Sequence, residues 1–299
     1  MTKAKITPVV ENEAKTNLKS GMITMIGRSN AGKSTLLNTL VGTKIAAVTH
    51  KPQTTRQIIH GVLNAAEGQA VFVDTPGILK GGGSPLAGKL EARVHEALQD
   101  IDLIIHVVDP GKALGAEERF LMALARKIDK PKILVINKVD LSPKERPYQE
   151  DYLALAENYN TVMELSALHN RHVQPLIKKV FELLPTGEPM YPPEQFTNID
   201  PKFWLAEIIR EKILLALRDE VPYSVNVEVT EVEDKEDVTV IKATVFTNDS
   251  RYKKMIIGAR GRSIKEIGIA ARKELATALN RKVYLELEVE TDKHWDERV

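Results

Sequence analysis

Gly27 to Ser34, with the sequence GRSNAGKS, is the stretch that decides the fold of this 299-residue chain. It fits the pattern G-x-x-x-x-G-K-[ST]. The apolar run at 22–26 predicts a strand before it, and residues 34–41 predict a helix after it, ended by Gly42. Strand, glycine-rich turn and helix in this order predict a phosphate-binding loop, because backbone N–H groups can then surround phosphate oxygens. A turn that merely ends in Gly-Lys-Ser is the structural alternative, and the flanking strand and helix argue against it.

The residue types inside the loop are suited to binding a nucleoside triphosphate together with its metal ion. Gly27 and Gly32 remove side chains that would block the curled backbone, and Lys33 is expected to bridge phosphate oxygens. Ser34 supplies a hydroxyl to Mg²⁺ at the positive end of the helix. The predicted nucleotide contacts in this loop are Gly27, Arg28, Ser29, Asn30, Ala31, Gly32, Lys33, Ser34 and Thr35.

A second segment, VFVDTPG, predicts the other side of the metal and phosphate site. An apolar run delivers Asp74 to a strand end, where its carboxylate can hold a Mg²⁺ water while the Gly77 N–H meets the γ-phosphate. The predicted contacts here are Asp74, Thr75, Pro76, Gly77 and Ile78.

A third segment, NKVD at 137–140, predicts which base is bound. A carboxylate at Asp140 can accept from both N1–H and the 2-amino group of guanine, and adenine lacks both donors. We therefore expect GTP to be preferred over ATP by several powers of ten. Lys138 is expected to lay its methylenes along the base, and Ser166-Ala167 to place an N–H at guanine O6. Taken singly, NKVD could be an ordinary turn and Ser-Ala a helix cap. The predicted base contacts are Asn137, Lys138, Val139, Asp140, Ser166, Ala167 and Leu168.

Composition is that of a globular protein with about two domains. The chain has 43% hydrophobic residues, a net charge of +1 and no cysteine. Disulfides and thiolate metal sites are thus excluded, and any nucleic-acid contact must come from a local basic patch. No apolar run reaches membrane-spanning length and no signal peptide opens the sequence, so we expect a cytoplasmic protein.

Strand and helix patterns alternate from 21 to 184 and predict a mostly parallel, doubly wound α/β sheet, made mixed by one hairpin edge. We interpret 1–20 as a flexible tail. The proline-rich stretch 185–200 is interpreted as a linker. A small α+β domain is expected over 201–299.

The second domain holds a strongly basic segment at 251–273, with eight Lys or Arg residues and one acid, Glu266. Its centre, Gly258 to Gly261, is a GxxG loop that lets a nucleic-acid backbone approach closely; a plain helix–helix turn is the alternative. Tyr252 is the one aromatic residue nearby, so we expect a short single strand to be read by isoleucines and backbone groups. The predicted RNA contacts are Lys253, Lys254, Ile256, Ile257, Gly258, Ala259, Arg260, Gly261, Arg262, Ser263, Ile264, Lys265 and Arg272.

With these motifs the chain resembles the Era family of GTPases. KPQTTR (51–56), AEIIREKIL (206–214), VPYS (221–224) and MIIGARGRSIKEIG (255–268) are similar to that family. The resemblance implies a P-loop GTPase domain followed by a type II KH domain that binds the 3′ region of small-subunit ribosomal RNA during 30S assembly. It implies that QTTR is switch I, with Thr55 as a Mg²⁺ ligand beside Ser34 and Asp74, and that DTPG opens switch II. A monomer is expected. Since the family is found partly at the inner membrane, peripheral attachment stays open.

The expected catalytic residues differ from those of Ras-like enzymes. Ile78 follows DTPG where Ras-like enzymes carry a water-orienting glutamine, so we expect slow intrinsic hydrolysis. Asn30 either binds K⁺, as in related enzymes, or stabilises the loop. The predicted catalytic set is Asn30, Lys33, Thr55, Asp74 and Gly77.

The interpretation of the whole chain is a GTP-hydrolysing switch that controls an RNA-binding domain. The first alternative is a nucleotide-sensing RNA-binding assembly factor with negligible hydrolysis. The second is a P-loop ATPase or small-molecule kinase, which the Asp140 pattern disfavours.

Overall fold

The computed structural model describes residues 18–48, 58–74, 100–217 and 225–295. These form two sheets, one of six strands in the order β2-β3-β1-β4-β5-β6 and one of three in the order β7-β8-β9. The six strands are β1 (Lys19–Ile26), β2 (Ile59–Ala65), β3 (Gly68–Asp74), β4 (Leu103–Val108), β5 (Lys132–Ile136) and β6 (Thr161–Glu164).

The larger sheet is parallel except at one edge. β1 pairs in parallel with β3 and β4, and β4, β5 and β6 continue in parallel, while β2 runs antiparallel to β3. β3 and β4 are buried along their whole length, as expected of central strands covered by helices on both faces. The covering helices are α1 (Lys33–Val41), α2 (Ala116–Arg126), α3 (Gln149–Leu153) and α4 (Val173–Leu183). The prediction of a mostly parallel sheet with a hairpin edge is confirmed.

This topology brings distant parts of the sequence to one edge. The carboxyl ends of parallel strands lie on the same side of a sheet, where α/β proteins bind their ligands. Here β1, β3, β4, β5 and β6 lead directly into Gly27, Asp74, Asp109, Asn137 and the Ser166 turn.

The smaller sheet carries three helices on one face. Its members are α5 (Pro201–Ala216), β7 (Val225–Asp234), β8 (Val238–Thr247), α6 (Ser250–Ile257), α7 (Arg262–Leu279) and β9 (Lys282–Thr291). β7 pairs antiparallel and β9 parallel with β8. Asp200 caps α5 by accepting from the backbone N–H groups of Lys202 and Phe203. The predicted α+β character of this part is confirmed.

Each sheet has its own hydrophobic core. One core includes Ile23, Leu36, Phe72 and Ile105 of the larger sheet and its helices. The other includes Ile209, Ile241, Ile256 and Leu275 of the smaller one. Within the described ranges, no helix combines the length and the apolar character that crossing a bilayer requires.

Candidate nucleotide site and RNA interface

The two outer glycines of the phosphate loop are required by close packing. A Cβ on Gly27 would lie 2.3 Å from the carbonyl oxygen of Val107. A Cβ on Gly32, whose φ is +100°, would lie 2.2 Å from Nδ2 of Asn137. The loop is therefore held tightly against β4 and the NKVD segment, and neither position accepts a side chain.

Lys33 lies inside the loop with its ammonium group buried. Its Nζ donates to the carbonyl oxygens of Gly27 at 3.1 Å and Arg28 at 3.4 Å. Burial lowers the pKa of Lys33, and the nearby carboxylates of Asp74 and Glu118 oppose that shift. A bound phosphate would supply the negative charge that favours the protonated form.

Ser34 and Asp74 meet at the mouth of the loop although they are forty residues apart. Ser34 Oγ donates to Asp74 Oδ2 at 2.6 Å. A hydroxyl and a carboxylate that converge beside a phosphate loop are hard oxygen donors of the kind Mg²⁺ prefers together with substrate phosphates. The donor set thus fits Mg²⁺. The predicted Thr55, Thr75, Pro76, Gly77 and Ile78 lie outside the described residues.

The start of the phosphate loop is anchored through Arg28. Its Nε donates to Glu117 Oε2 of α2 at 3.0 Å and its Nη1 to the Ala113 carbonyl at 3.0 Å. Ser29 is half-buried, and Asn30 is exposed with a left-handed backbone (φ +65°). Thr35 follows Ser34 in α1. Asn30 is thus placed at the open side of the loop, where either of its two predicted roles remains available.

Asn137 joins the phosphate loop to the turn predicted to bind the base. Its Nδ2 donates to the Ala31 carbonyl at 2.9 Å, and its Oδ1 accepts from the Ala167 N–H at 3.0 Å. The side chain is buried, so both bonds are made without competition from water. This Asn acts as a brace between the loop that would hold phosphate and the turn that would hold guanine.

Asp140 is prepared to accept hydrogen bonds. Ser166 Oγ donates to its Oδ1 at 2.5 Å. That hydrogen bond outweighs the opposing effect of burial and, with smaller contributions from His169 and Arg171, lowers the pKa of Asp140. The carboxylate is therefore ionised at neutral pH and can accept from two adjacent donors. Val139 is half-buried beside it, and Leu168 is 72% exposed.

Asp109 lies beside the candidate site but was not predicted from the sequence. Its Oδ2 accepts from Lys138 Nζ at 2.6 Å, and its Oδ1 accepts from the Gly111 N–H at 2.9 Å. The available signal was its place directly after the apolar strand LIIHVV, at the edge where the other site residues lie. Lys138, with φ +64°, is thereby fixed next to the predicted base contact Asp140.

The GxxG loop lies between α6 and α7. Gly258 has φ +72°, and a Cβ there would lie 2.7 Å from Cβ of Ser263; Gly261 has φ +74° with open space around it. The basic side chains around this loop are exposed, except that Lys253 is half-buried; they are Lys254, Arg260, Arg262, Lys265 and Arg272. This end of the domain therefore presents a positive surface that a phosphate backbone can approach.

One predicted RNA contact is corrected. Ile256 is fully buried in the core of the small domain, because helix α6 turns this side chain toward the sheet. Ile257, Ser263 and Ile264 are half-buried and Ala259 is exposed, so these remain at or near the surface.

An apolar groove continues from the GxxG loop between α7 and β9. It has a volume of about 500 Å³. It is lined by Ile264, Lys265, Gly268, Ile269, Arg272, Tyr284, Leu285 and Leu287. Ile269 is 51% exposed and Tyr284, on the edge strand β9, is 57% exposed, so both are open to solvent. The prediction that Tyr252 was the one aromatic residue nearby is wrong, because Tyr284 reaches the groove from a strand over twenty residues downstream.

The two faces of the small sheet differ in charge. β9 alternates between Leu285 and Leu287, which pack toward the helices, and Glu286, Glu288 and Glu290, which are exposed on the other face. The basic GxxG surface is on the helical side. A polyanion would thus be attracted to the helical side and repelled from the outer face of β9.

Comparison with known proteins agrees with this architecture. Residues 22–138 match the family described as 50S ribosome-binding GTPase, and residues 220–296 match the KH domain family. The curated GTPase Era of Halothermothrix orenii is 37% identical over 281 residues, which cover 94% of this chain and 95% of that protein. The GTPase Era of Thermoanaerobacter sp. strain X514 is 38% identical and covers 93% of this chain and 92% of its own length.

Solved structures that match the chain over nearly its entire length include two of Era. A crystal structure of an Aquifex aeolicus Era variant bound to GDP·AlF4⁻ is 33% identical, covers 94% of this chain and 96% of its own, and has a TM-score of 0.86. A crystal structure of Era in complex with MgGDPNP and nucleotides 1506–1542 of 16S ribosomal RNA matches with the same TM-score, 0.86, and 33% identity. Since both the identity and the fold extend over nearly the entire length, the chain belongs to the Era family of GTPases.

Proposed function

We propose that this protein is a GTP-hydrolysing molecular switch that binds the 3′ region of small-subunit ribosomal RNA and acts in assembly of the 30S subunit. One observation carries the proposal: a single chain combines the Asp140–Ser166 pair, suited to guanine, with an exposed basic GxxG loop and an apolar groove. The related Era structure that contains 16S ribosomal RNA nucleotides supports the choice of RNA.

In this proposal GTP is held at both ends. Lys33 and the loop N–H groups bind the phosphates, and Asp140 accepts from guanine, with Asn137 fixing the distance between the two ends. Mg²⁺ would be held by Ser34 and Asp74, with Thr55 as a further ligand by resemblance. When bound, the ion neutralises charge on the β- and γ-phosphates. The backbone N–H of Gly77 is assigned to the γ-phosphate, and Thr75, Pro76 and Ile78 to the surrounding contacts.

Hydrolysis is expected to be slow, because the apolar side chain of Ile78 cannot orient the attacking water. Another group must therefore assist the reaction. A potassium ion at Asn30 is our proposed source of that help, since this side chain stands at the open side of the loop. The rival is an assembly factor that holds nucleotide without turnover. Phosphate release measured in K⁺ and in Na⁺, with and without the ribosomal RNA, separates the two: undetectable release in every condition would support the rival.

We further propose a monomeric, cytoplasmic protein. Peripheral association with the inner membrane is the alternative implied by the family. Co-sedimentation with anionic vesicles decides between them.

The RNA is proposed to run with its backbone over Gly258 to Gly261 and its bases in the groove beside Tyr284. To test this, Arg260→Glu should weaken binding of a short RNA with the small-subunit 3′ sequence by roughly tenfold or more, because an exposed phosphate contact becomes a repulsion. GTP affinity should be unchanged. Arg126→Glu is the matched control, since it makes the same charge change on an exposed residue of α2 in the larger domain. Equal losses in both variants would contradict the assigned RNA surface.

A further inference from the structure

Four charged side chains meet where the two domains touch. Lys44 of the larger domain donates through Nζ to Glu211 Oε1 of α5 at 2.7 Å and also to Glu274 of α7. Lys212 donates to Glu211 at 3.0 Å and pairs with Glu274 as well. We name these residues the interdomain cluster. With two lysines and two glutamates it is electrically balanced, and Lys44 is its one member from the larger domain.

The cluster is partly removed from water, so its charges are screened less by solvent and salt than those of surface pairs. The Glu211 side chain is 3% exposed, and that of Lys212 is 14% exposed. Burial raises the pKa of Glu274, but hydrogen bonds from Lys212 and Lys44 outweigh it and leave that pKa lowered. Removing one partner would leave buried charge uncompensated, which costs far more than breaking an exposed pair.

On its nucleotide side the cluster is connected to the phosphate loop through one helix. α1 begins at Lys33, and Asn38 in its middle accepts from the N–H groups of Ile45 and Ala46 at 2.9 Å each. Asn38 also donates to the Ala46 carbonyl at 2.9 Å. The segment 44–48 is therefore hydrogen-bonded, at Ile45 and Ala46, to the helix that carries the phosphate-loop lysine.

The same segment is bound to the small domain at three places. Besides Lys44 in the cluster, the Lys44 carbonyl accepts from Trp204 Nε1 at 2.7 Å, and the Val48 N–H donates to Glu211 Oε2 at 2.7 Å. Glu274 belongs to α7, and that helix begins immediately after Gly261 of the GxxG loop. A continuous set of described contacts thus joins the phosphate loop to the RNA-binding loop.

We propose that the interdomain cluster couples nucleotide binding to RNA binding, with Lys44 and Glu274 as positioning residues. This rests on the proposed function, because a mutual effect requires that both ligands bind. A ligand that shifts α1 moves segment 44–48, which is bound to α7 through Glu274. By linkage, the factor by which nucleotide changes RNA affinity equals the factor by which RNA changes nucleotide affinity.

The test measures a ratio. The Kd for the small-subunit 3′ RNA is determined by calorimetry with a nonhydrolysable GTP analogue and with GDP, for the full chain. Lys44→Met and Glu274→Gln should each bring the ratio of these two Kd values closer to one. The expected change in the ratio is roughly 2- to 30-fold. A direct effect of either substitution on RNA affinity cancels in the ratio. Because the two side chains touch, the double variant should lose little more than either single one.

Glu231→Gln is the matched control. Glu231 pairs with Lys242 at 2.7 Å on the exposed sheet face of the same domain, so the chemical change is identical but lies away from the interface. It should leave the ratio unchanged. A wild-type ratio above one that survives in Lys44→Met and Glu274→Gln would overturn this inference while leaving the proposed function intact. A wild-type ratio of one would overturn both the switch and the role of the cluster.

Discussion

At the scale of single residues, Asp140 is the side chain on which the choice of base depends. Asp140→Asn replaces one acceptor by a donor, so the 2-amino and N1–H groups of guanine would face an N–H group. We expect GTP affinity to fall by about 10⁴-fold and affinity for xanthosine triphosphate to rise, as measured by fluorescent-nucleotide competition. Unchanged GTP binding would favour a P-loop ATPase or kinase.

Ser166→Ala is a milder substitution that tests the residue hydrogen-bonded to Asp140. It removes the hydrogen bond that lowers the pKa of Asp140 but keeps the carboxylate, so a smaller loss of GTP affinity is expected, roughly tenfold. Preference for guanine over xanthine should remain in this variant.

At the scale of secondary-structure elements, local patterns were predictable and long-range contacts were not. The strand, phosphate loop and helix around Gly27 to Ser34 follow from residues that are neighbours in sequence. The pairing of Lys44 with Glu274 joins positions 230 residues apart, and no periodicity encodes it. Ile256 and Tyr284 show the same limit: the first is buried and the second lies beside the groove because of how α6 and β9 pack.

Strand β2 is held to residues 190–198 through His60. Its Nδ1 lies 2.7 Å from Tyr191 Oη, and its backbone N–H donates to Asn198 Oδ1 at 2.8 Å. Burial lowers the pKa of His60 below its usual 6.5, so the unfolded chain binds the proton more readily. Stability from this site is therefore present above pH 6.5 and declines as the pH falls below it.

His60→Gln should flatten that decline. The drop in Tm between pH 8 and pH 5.5 is expected to be smaller in the variant than in the wild type when both are followed by circular dichroism. His172→Gln, which changes an exposed histidine at the start of α4, should retain the wild-type drop. An identical drop in all three proteins would show that His60 is not protonated on unfolding in this range.

At the scale of the whole molecule, the two domains bury separate hydrophobic clusters, and polar contacts link the domains. One core is formed around the six-stranded sheet and the other around the three-stranded sheet. Among the described residues, the contacts that join the domains include the four-residue cluster, the Trp204–Lys44 bond and the Val48–Glu211 bond. Such an interface does not oblige two domains to unfold together.

We therefore expect two transitions in differential scanning calorimetry. GDP at 100 times its Kd should stabilise the transition of the larger domain by about 2.7 kcal/mol, since the ligand binds that domain only when folded. GDP should raise the Tm of the small-domain transition by less. RNA should instead raise the Tm of the small-domain transition more than that of the larger domain. In Lys44→Met, GDP should no longer raise the Tm of the small-domain transition, because we propose that the interdomain cluster transmits this effect. A single transition that both ligands shift equally would mean that the polar interface holds the two cores as one cooperative unit.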